Sequence, residues 1–292
     1  MTFLTYLIGG LSLGSVYAII ALGYTMVYGI AKMLNFAHGD IIMVGAYVCF
    51  LTTTNLGFSP VIGVILAIII CTVLGIVIEK LAYKPLRNIS SLAVLITAIG
   101  VSYFLQNAAQ LLWTPNPKVF QSIIPGSLSL AGGKLQISWI SIVTIAVCIV
   151  VMVGLVSFIN KSKMGKAMRA CSEDRAAAQL MGINVNYTIS VTFAIGSALA
   201  AVAGVLMCSA YSTLLPTTGS MPGIKAFTAA VFGGIGSVPG AMIGGLLIGI
   251  IETFAKAYIS TELSDAIVFI VLIIVLVAKP TGILGKQIRE KV

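Results

Sequence analysis

The sequence predicts an all-α fold, a polytopic transmembrane helical bundle of about eight full spans plus a half-helix and one interrupted helix. Three observations predict it. Of the 292 residues 59% are hydrophobic and only 9% charged, against the roughly 25% charged share of a soluble domain. Uncharged runs at 61–78 (18 residues) and 137–159 (23 residues) match the ~20 residues a helix needs to cross a ~30 Å hydrocarbon core. Period-two alternation is missing from these runs, which excludes a membrane β-barrel.

The spans follow in order. Segment 7–30 comes first, and because the first charge in the chain is Lys32, it lacks the basic n-region of a cleavable signal. It is expected to be an uncleaved span with its amino terminus outside. Next come about 37–54, then 60–78, 91–113, 137–159, 187–212, 240–259 and about 263–278. Eight spans leave no room for an extramembrane domain, so 1–292 reads as one transmembrane unit with a cytoplasmic loop at 160–187. All nine prolines fall in loops or at segment ends, where a missing N–H and a fixed φ do least harm.

Charge sets the orientation. Twelve of the 17 Lys and Arg lie in three places: Lys80, Lys84 and Arg87; Lys161, Lys163, Lys166, Arg169 and Arg175; and Lys279, Lys286, Arg289 and Lys291. This positive-inside pattern puts all three in the cytoplasm. The net charge of +9 thus reports orientation and argues against nucleic acid, which needs a basic aqueous surface.

A cytoplasmic carboxyl terminus and a cytoplasmic loop at 161 require an even number of crossings between them, yet three full spans are visible. The stretch 223–238, which opens after Pro222 and closes on GGIGSVPG, has to supply the fourth. Its helical part, 224–232, reaches only ~14 Å, about half of the core. A half-helix followed by irregular, glycine-rich backbone is therefore expected. The second segment is similar: 41–54 gives ~21 Å, too short unless NFAHGD at 35–40 also enters the membrane. Paired short or glycine-interrupted segments point to a transport pathway, since irregular backbone at depth is tolerated only against protein or water. The alternative is two merely short helices in a thinned bilayer.

Motifs for chemistry are missing. No G-x-x-x-x-G-K-[ST] occurs; GILGKQ at 282–287 is too short and lacks the magnesium-binding hydroxyl, so this chain does not hydrolyse ATP. His38 is the one histidine, and no HExxH, paired carboxylate site or Ser, His and Asp set is present, which argues against an enzyme. Cys49, Cys71, Cys148 and Cys208 are scattered through hydrophobic segments and Cys171 lies in a loop on the reducing side. None has ligand spacing, so neither disulfides nor a metal site is implied.

Several polar residues stand out against this background. His38 and Asp40 are ionisable groups near the membrane interior and could form a proton relay. The simpler reading places both at the cytoplasmic margin, with Asp40 at the positive end of a helix. Glu252 and Lys256, four apart, suit an intrahelical ion pair snorkelling toward the outer interface. Gln106, Asn107 and Gln110 could line a polar path or join helices, and Gly196, Ala200 and Gly204 form a close-packing face.

The sharpest feature is the charged island KSKMGKAMRACSEDRAAAQLMGINVNY at 161–187. Ser172 is a good N-cap, Glu173 and Asp174 oppose the helix dipole, and Gly182 supplies the residue after the helix. A helix over 173–181 follows, ~13 Å long, with Ala176, Ala177, Leu180 and Met181 on one face. So short a helix is not stable alone in water and must rest on the membrane domain or dock into another protein. A linker lying on anionic lipid is the alternative.

On SLGSVYAIIALGYTMVYGIAKMLNFAHGDIIMVGAY, MGKAMRACSEDRAAAQLMGINV and KAFTAAVFGGIGSVPGAMIGGLLIGIIE the chain resembles the permease subunits of ATP-binding-cassette importers, specifically the branched-chain amino-acid permease family, over about residues 7–285. The resemblance implies a permease subunit of the inner membrane that passes branched-chain or similar hydrophobic amino acids inward. It also implies four kinds of partner: a homologous second permease, two ATPase subunits carrying the ATP and magnesium, an extracytoplasmic substrate-binding protein, and membrane lipid. Under it, Asn35, Phe36, His38, Gly39 and Asp40 with Gly233, Gly234 and Gly236 are expected along the pathway. Gly165, Arg169, Glu173, Asp174, Ala177 and Gly182 are expected to couple to the ATPases. Urea or short amides remain an alternative cargo. Rival classes are a proton-coupled secondary transporter and a non-transporting scaffold.

Overall fold

Helix α1 (Thr2–Ala31) is the axis of the bundle, and glycine decides what lies beside it. The computed structural model describes residues 2–87, 90–130 and 135–285. In it, α10 (Val238–Tyr258) runs antiparallel along α1. A Cβ on Gly249 would stand 2.2 Å from Gly14 Cα, and one on Gly245 2.4 Å from the Ala18 nitrogen. The two backbones touch, which is how membrane helices gain packing where lipid supplies no hydrophobic drive. Ring contacts continue the seam at Phe3–Phe254 (5.2 Å) and Tyr6–Tyr258 (5.9 Å).

Helix α8 (Val185–Tyr211) packs against α1, α2 (His38–Phe50) and α3 (Pro60–Ile78) by the same means. A Cβ on Gly204 would meet the Ile42 carbonyl at 2.2 Å, and one on Gly196 would meet Val27 at 3.3 Å. The small-residue face expected from the sequence is thus in use. Outside this core, α3, α4 (Ser91–Trp113), α5 (Trp139–Lys161) and α11 (Ser264–Ala278) turn Val73, Leu111, Val150 and Val277 outward. Such an apolar exterior suits lipid contact.

Among the described residues six helices are long and apolar enough to span a membrane, so the chain is a multi-pass membrane protein. The eight expected segments are all helical, but two fall short of full length. Helix α11 has 15 residues, and α2 has 13 continued by a π-helical turn at Leu51–Asn55. The shortness of α2 has a structural cause. Lys32 closes α1 at φ +49, and the chain turns back into the bundle before α2 begins. His38 thus lies against Gly23, eight residues or ~12 Å of helix from the end of α1, and NFAHGD folds back along the side of that helix.

The expected half-helix is α9 (Ser220–Gly233), and it starts four residues earlier than the sequence suggested. Pro222 falls in its first turn, where no intrahelical donor is lost, so the helix gains a turn and measures ~21 Å. It begins inside the bundle, where a Cβ on Gly219 would lie 1.7 Å from the Gly39 carbonyl. At its other end Gly234 and Gly236 take φ of +104 and +92. The last carbonyls of α9 are capped from afar: Ile283 N–H donates to Phe232 O (2.9 Å) and Leu284 N–H to Gly233 O (3.0 Å). Residues 212–233 thereby run from the end of the bundle that carries β4 to the end that carries the 161–187 loop, and Lys279 returns to that same end. Lys286, Arg289 and Lys291 lie outside the described residues.

The opposite end carries two short ribbons. β1 (Lys118–Val119) pairs antiparallel with β4 (Thr213–Leu214), and β2 (Ser127–Leu130) with β3 (Leu135–Ser138). The first pair ties the exit of α4 to the exit of α8.

Candidate functional site

Three groups of polar residues emerge, two at the ends of the bundle and one inside it. The first is the 161–187 loop, which folds as two helices. Helix α6 (Lys163–Glu173) is capped by Ser162, whose Oγ accepts from Gly165 N–H at 2.8 Å. Gly165 sits so close to α5 that a Cβ there would be 2.4 Å from the Ile159 backbone. Met168 and Cys171 anchor the helix from beneath, while Arg169 and Glu173 are exposed. Burial pushes the Cys171 thiol above its ordinary value.

Helix α7 (Arg175–Leu180) corrects the sequence reading. Ser172 does not cap it, and Glu173 does not open it, because both are absorbed into the end of α6. The Ser172 hydroxyl instead donates to Arg169 O at 2.7 Å. Asp174, in an extended conformation between the helices, is the cap: its Oδ1 accepts from Ala176 N–H (2.8 Å) and Ala177 N–H (3.0 Å). Its carboxylate satisfies two of the orphan donors of a helix start. Gly182, at φ +81, closes the helix in a Schellman turn with Ile183 N–H on Ala178 O (3.0 Å).

What α7 presents agrees with expectation. Ala176 and Ala177 are exposed, and Leu180 and Met181 are 88% and 82% exposed. Arg175 holds α7 to the bundle by donating to the Ala31 carbonyl, one of the last of α1. A cavity of ≈ 580 Å³ lies behind it, lined by Arg87, Arg175, Gln179 and Asn186. Arg87 pairs there with buried Glu79, whose other oxygen accepts from Ser190 Oγ at 2.6 Å, and burial pulls the guanidinium below its ordinary value.

The second group lies where α1 turns into α2. Asn35 Oδ1 accepts from Tyr83 OH at 2.8 Å, and the His38 ring packs edge-on to Tyr24 at 4.6 Å. Phe36 meets Phe227 of α9 at 5.7 Å. His38 and Asp40 are both 1% exposed, and Asp40 stands in the first turn of α2, as the simpler sequence reading had it. The re-entry of 32–37 carries them inward. His38 Nε2 has no hydrogen-bond partner among the described residues. Asp40 accepts from Gln106 Nε2 at 2.9 Å, and the same nitrogen reaches Ser220 Oγ at 3.3 Å. Gln106 thus joins helices α2, α4 and α9. Gly39 faces Gly219 and Gly223, so the starts of α2 and α9 meet backbone to backbone. Gly233, Gly234 and Gly236 are elsewhere, at the loop end, with Gly233 against the Gly240 carbonyl and Gly234 against Gly285.

The third group was only half visible in the sequence. Glu252 does pair with Lys256 (2.6 Å), but it is 1% exposed and does not snorkel. Its Oε1 also accepts from Lys225 Nζ of α9 (2.8 Å) and its Oε2 from Tyr17 OH of α1 (2.8 Å). Lys225 in turn pairs with Asp265 of α11 at 2.6 Å. Burial is possible because α9, α10 and α11 supply compensating charge and α1 a hydroxyl donor. The missed signal was Lys225 itself, a lone cation in an apolar stretch.

Similarity to known proteins agrees with this architecture. The family model for the branched-chain amino acid transport system permease component matches residues 6–276. The chain is 46% identical to the high-affinity branched-chain amino acid transport system permease protein BraD of Pseudomonas aeruginosa, over 99% of this chain and 98% of that one. LivH of Escherichia coli K12, which carries the same description, matches at 46% over the same shares. The probable branched-chain amino acid transport permease LivH of Methanocaldococcus jannaschii is 31% identical over 95% and 91%. With a match that runs through α1 to α11, the chain belongs to the family of permease components of branched-chain amino acid transport systems.

Proposed function

We propose that this chain is the permease subunit of an ATP-binding-cassette importer that carries branched-chain amino acids inward across the inner membrane. The observation that carries it is the 46% identity, end to end, with permeases of high-affinity branched-chain amino acid transport systems. The lack of a phosphate-binding loop makes the ATP and magnesium the property of partner ATPase subunits. The face of Leu180 and Met181 on α7 is where one of two ATPases docks, with Gly165, Arg169, Glu173, Asp174, Ala177 and Gly182 shaping or flanking it. Movement of α7 reaches α1 through Arg175, so nucleotide-driven closure can rock the bundle.

The positive-inside rule puts this loop and the carboxyl terminus in the cytoplasm and the amino terminus outside. A homologous second permease completes the pathway, and an extracytoplasmic binding protein delivers substrate. On this chain the pathway passes Asn35, Phe36, His38, Gly39 and Asp40 and leaves past Gly233, Gly234 and Gly236. Reconstitution of the whole assembly in proteoliposomes tests this. Labelled leucine should enter only with ATP, and urea should not compete. Uptake of leucine by the purified single chain, driven by a proton gradient without nucleotide, would overturn it.

A further inference from the structure

The charged cluster of Lys225, Glu252 and Lys256 borders a cavity of ≈ 270 Å³. The cavity lies toward the end of the bundle where α1 begins and α10 ends, opposite α7. The rest of its lining sets the apolar side chains of Leu13, Met207 and Met221 among the hydroxyls of Tyr211, Thr213 and Thr218. Buried charges add little stability over an apolar filling of the same volume, and ionisable groups at membrane depth are costly. Two cations and two anions, the second anion being Asp265 on Lys225, therefore call for an explanation beyond packing.

Hydrogen-bond accounting gives one. An ionised carboxylate offers about four acceptor positions, and Glu252 uses three, for Tyr17, Lys225 and Lys256. One acceptor position is left on Glu252. A lysine ammonium offers about three donors; Lys256 spends one on Glu252, and its side chain is 38% exposed. Donors are left on Lys256. Met221, in the first turn of the 14-residue α9, brings the positive end of that helix to the same space. The cavity therefore shows a place for a carboxylate beside a place for an ammonium, with the apolar side chains of Leu13, Met207 and Met221 in the same lining. Ligand pockets start at ~300 Å³, so this one suits a single small solute.

We propose that this cavity is a transient binding site for an aliphatic α-amino acid zwitterion on its way through the permease. Lys256 takes the carboxylate, Glu252 the ammonium, and Leu13, Met207 and Met221 the side chain. The proposal rests on the importer reading above and adds to it a place and a set of contacts. The contact with Leu13, Met207 and Met221 favours an aliphatic side chain, which gives the permease a selectivity of its own.

The test uses the complete importer in proteoliposomes, scored as labelled leucine moved per ATP hydrolysed. Lys256→Gln should lower the ratio about tenfold, the scale of one charge-assisted hydrogen bond, and Lys256→Arg should restore most of it. Met221→Trp, which fills the cavity without touching a charge, should lower it as well. Wild-type ratios in both Lys256→Gln and Met221→Trp would overturn the site and leave the importer reading intact. If the wild type itself moves no leucine with ATP, the importer reading fails and the site with it. Should Lys256→Gln fail to accumulate, the ratio in Met221→Trp and equilibrium binding decide. Labelled leucine should bind the permease and ATPase complex without the binding protein and be displaced by isoleucine. Equal displacement by 3-methylbutylamine, which has no carboxylate, would refute the role of Lys256.

Discussion

Gln106 Nε2 stands 2.9 Å from Asp40 Oδ1, and this one amide ties the middle of α4 to the first turn of α2. The Asp40 carboxylate is 1% exposed and sits at the positive end of its helix, so dipole and amide together compensate the charge. Gln106→Leu should cost about 1–3 kcal/mol, the penalty for a buried group left short of a partner. The expected outcome is a lower Tm in detergent, with Gln106→Glu lower still because it faces one carboxylate with another. An unchanged Tm in both would show that Asp40 does not depend on this contact.

Docking at α7 should fail through its apolar face before its fold. Leu180→Asp and Met181→Asp place charge on side chains already 88% and 82% exposed, so the permease should reach the membrane normally. The ATPase subunits should no longer co-purify with it. Asp174→Ala should act differently, by loosening the helix by about 1 kcal/mol through the lost cap, with Asp174→Asn close to wild type. Full recovery of ATPase with either charged variant would move the docking face elsewhere.

Two glycines of similar appearance should respond in opposite ways. Gly249→Val drives a side chain into Gly14, where even a Cβ would be 2.2 Å from the backbone. Overpacking of this kind costs about 1–3 kcal/mol or more and should separate α1 from α10, read as loss of the monodisperse detergent-solubilised peak. Gly154→Ala in α5, with nothing within 4 Å, should be neutral or gain up to ~1 kcal/mol from helix propensity.

Cys171 should resist maleimide at pH 7 in sealed membranes. Burial raises its thiol above the ordinary value, so the reactive thiolate is scarce at neutral pH and increases only as pH rises toward that raised value. Mass spectrometry should find Cys171 labelled after denaturation and unlabelled before. Rapid labelling of the folded protein at neutral pH would mean that α6 lifts off the bundle.

Much of this was legible in order along the chain. The charged share set the environment, run lengths set the spans, and the parity of crossings exposed α9 before any contact was known. The close-packing face of α8 was legible because Gly196, Ala200 and Gly204 recur at a helical spacing. Two departures were local, the first at the loop: Ser172 and Asp174 are both good caps, and nothing within the loop says that α6 extends far enough to consume the first. Pro222 looked like a boundary and proved to be a first-turn residue.

The sequence by itself determined that this chain lives in a membrane, where its helical segments lie, which loop carries its charge and which family it resembles. These depend on composition, length and short spacing, which a chain carries whether folded or not. Only the tertiary structure decided that Lys225, Glu252, Lys256, Asp265 and Tyr17 share one cluster and that Gln106 reaches Asp40. A buried charge must find its partner, but the requirement says nothing of where along the chain the partner lies. Helix packing alone settles that, by bringing residues 235 positions apart, Tyr17 and Glu252, to 2.8 Å.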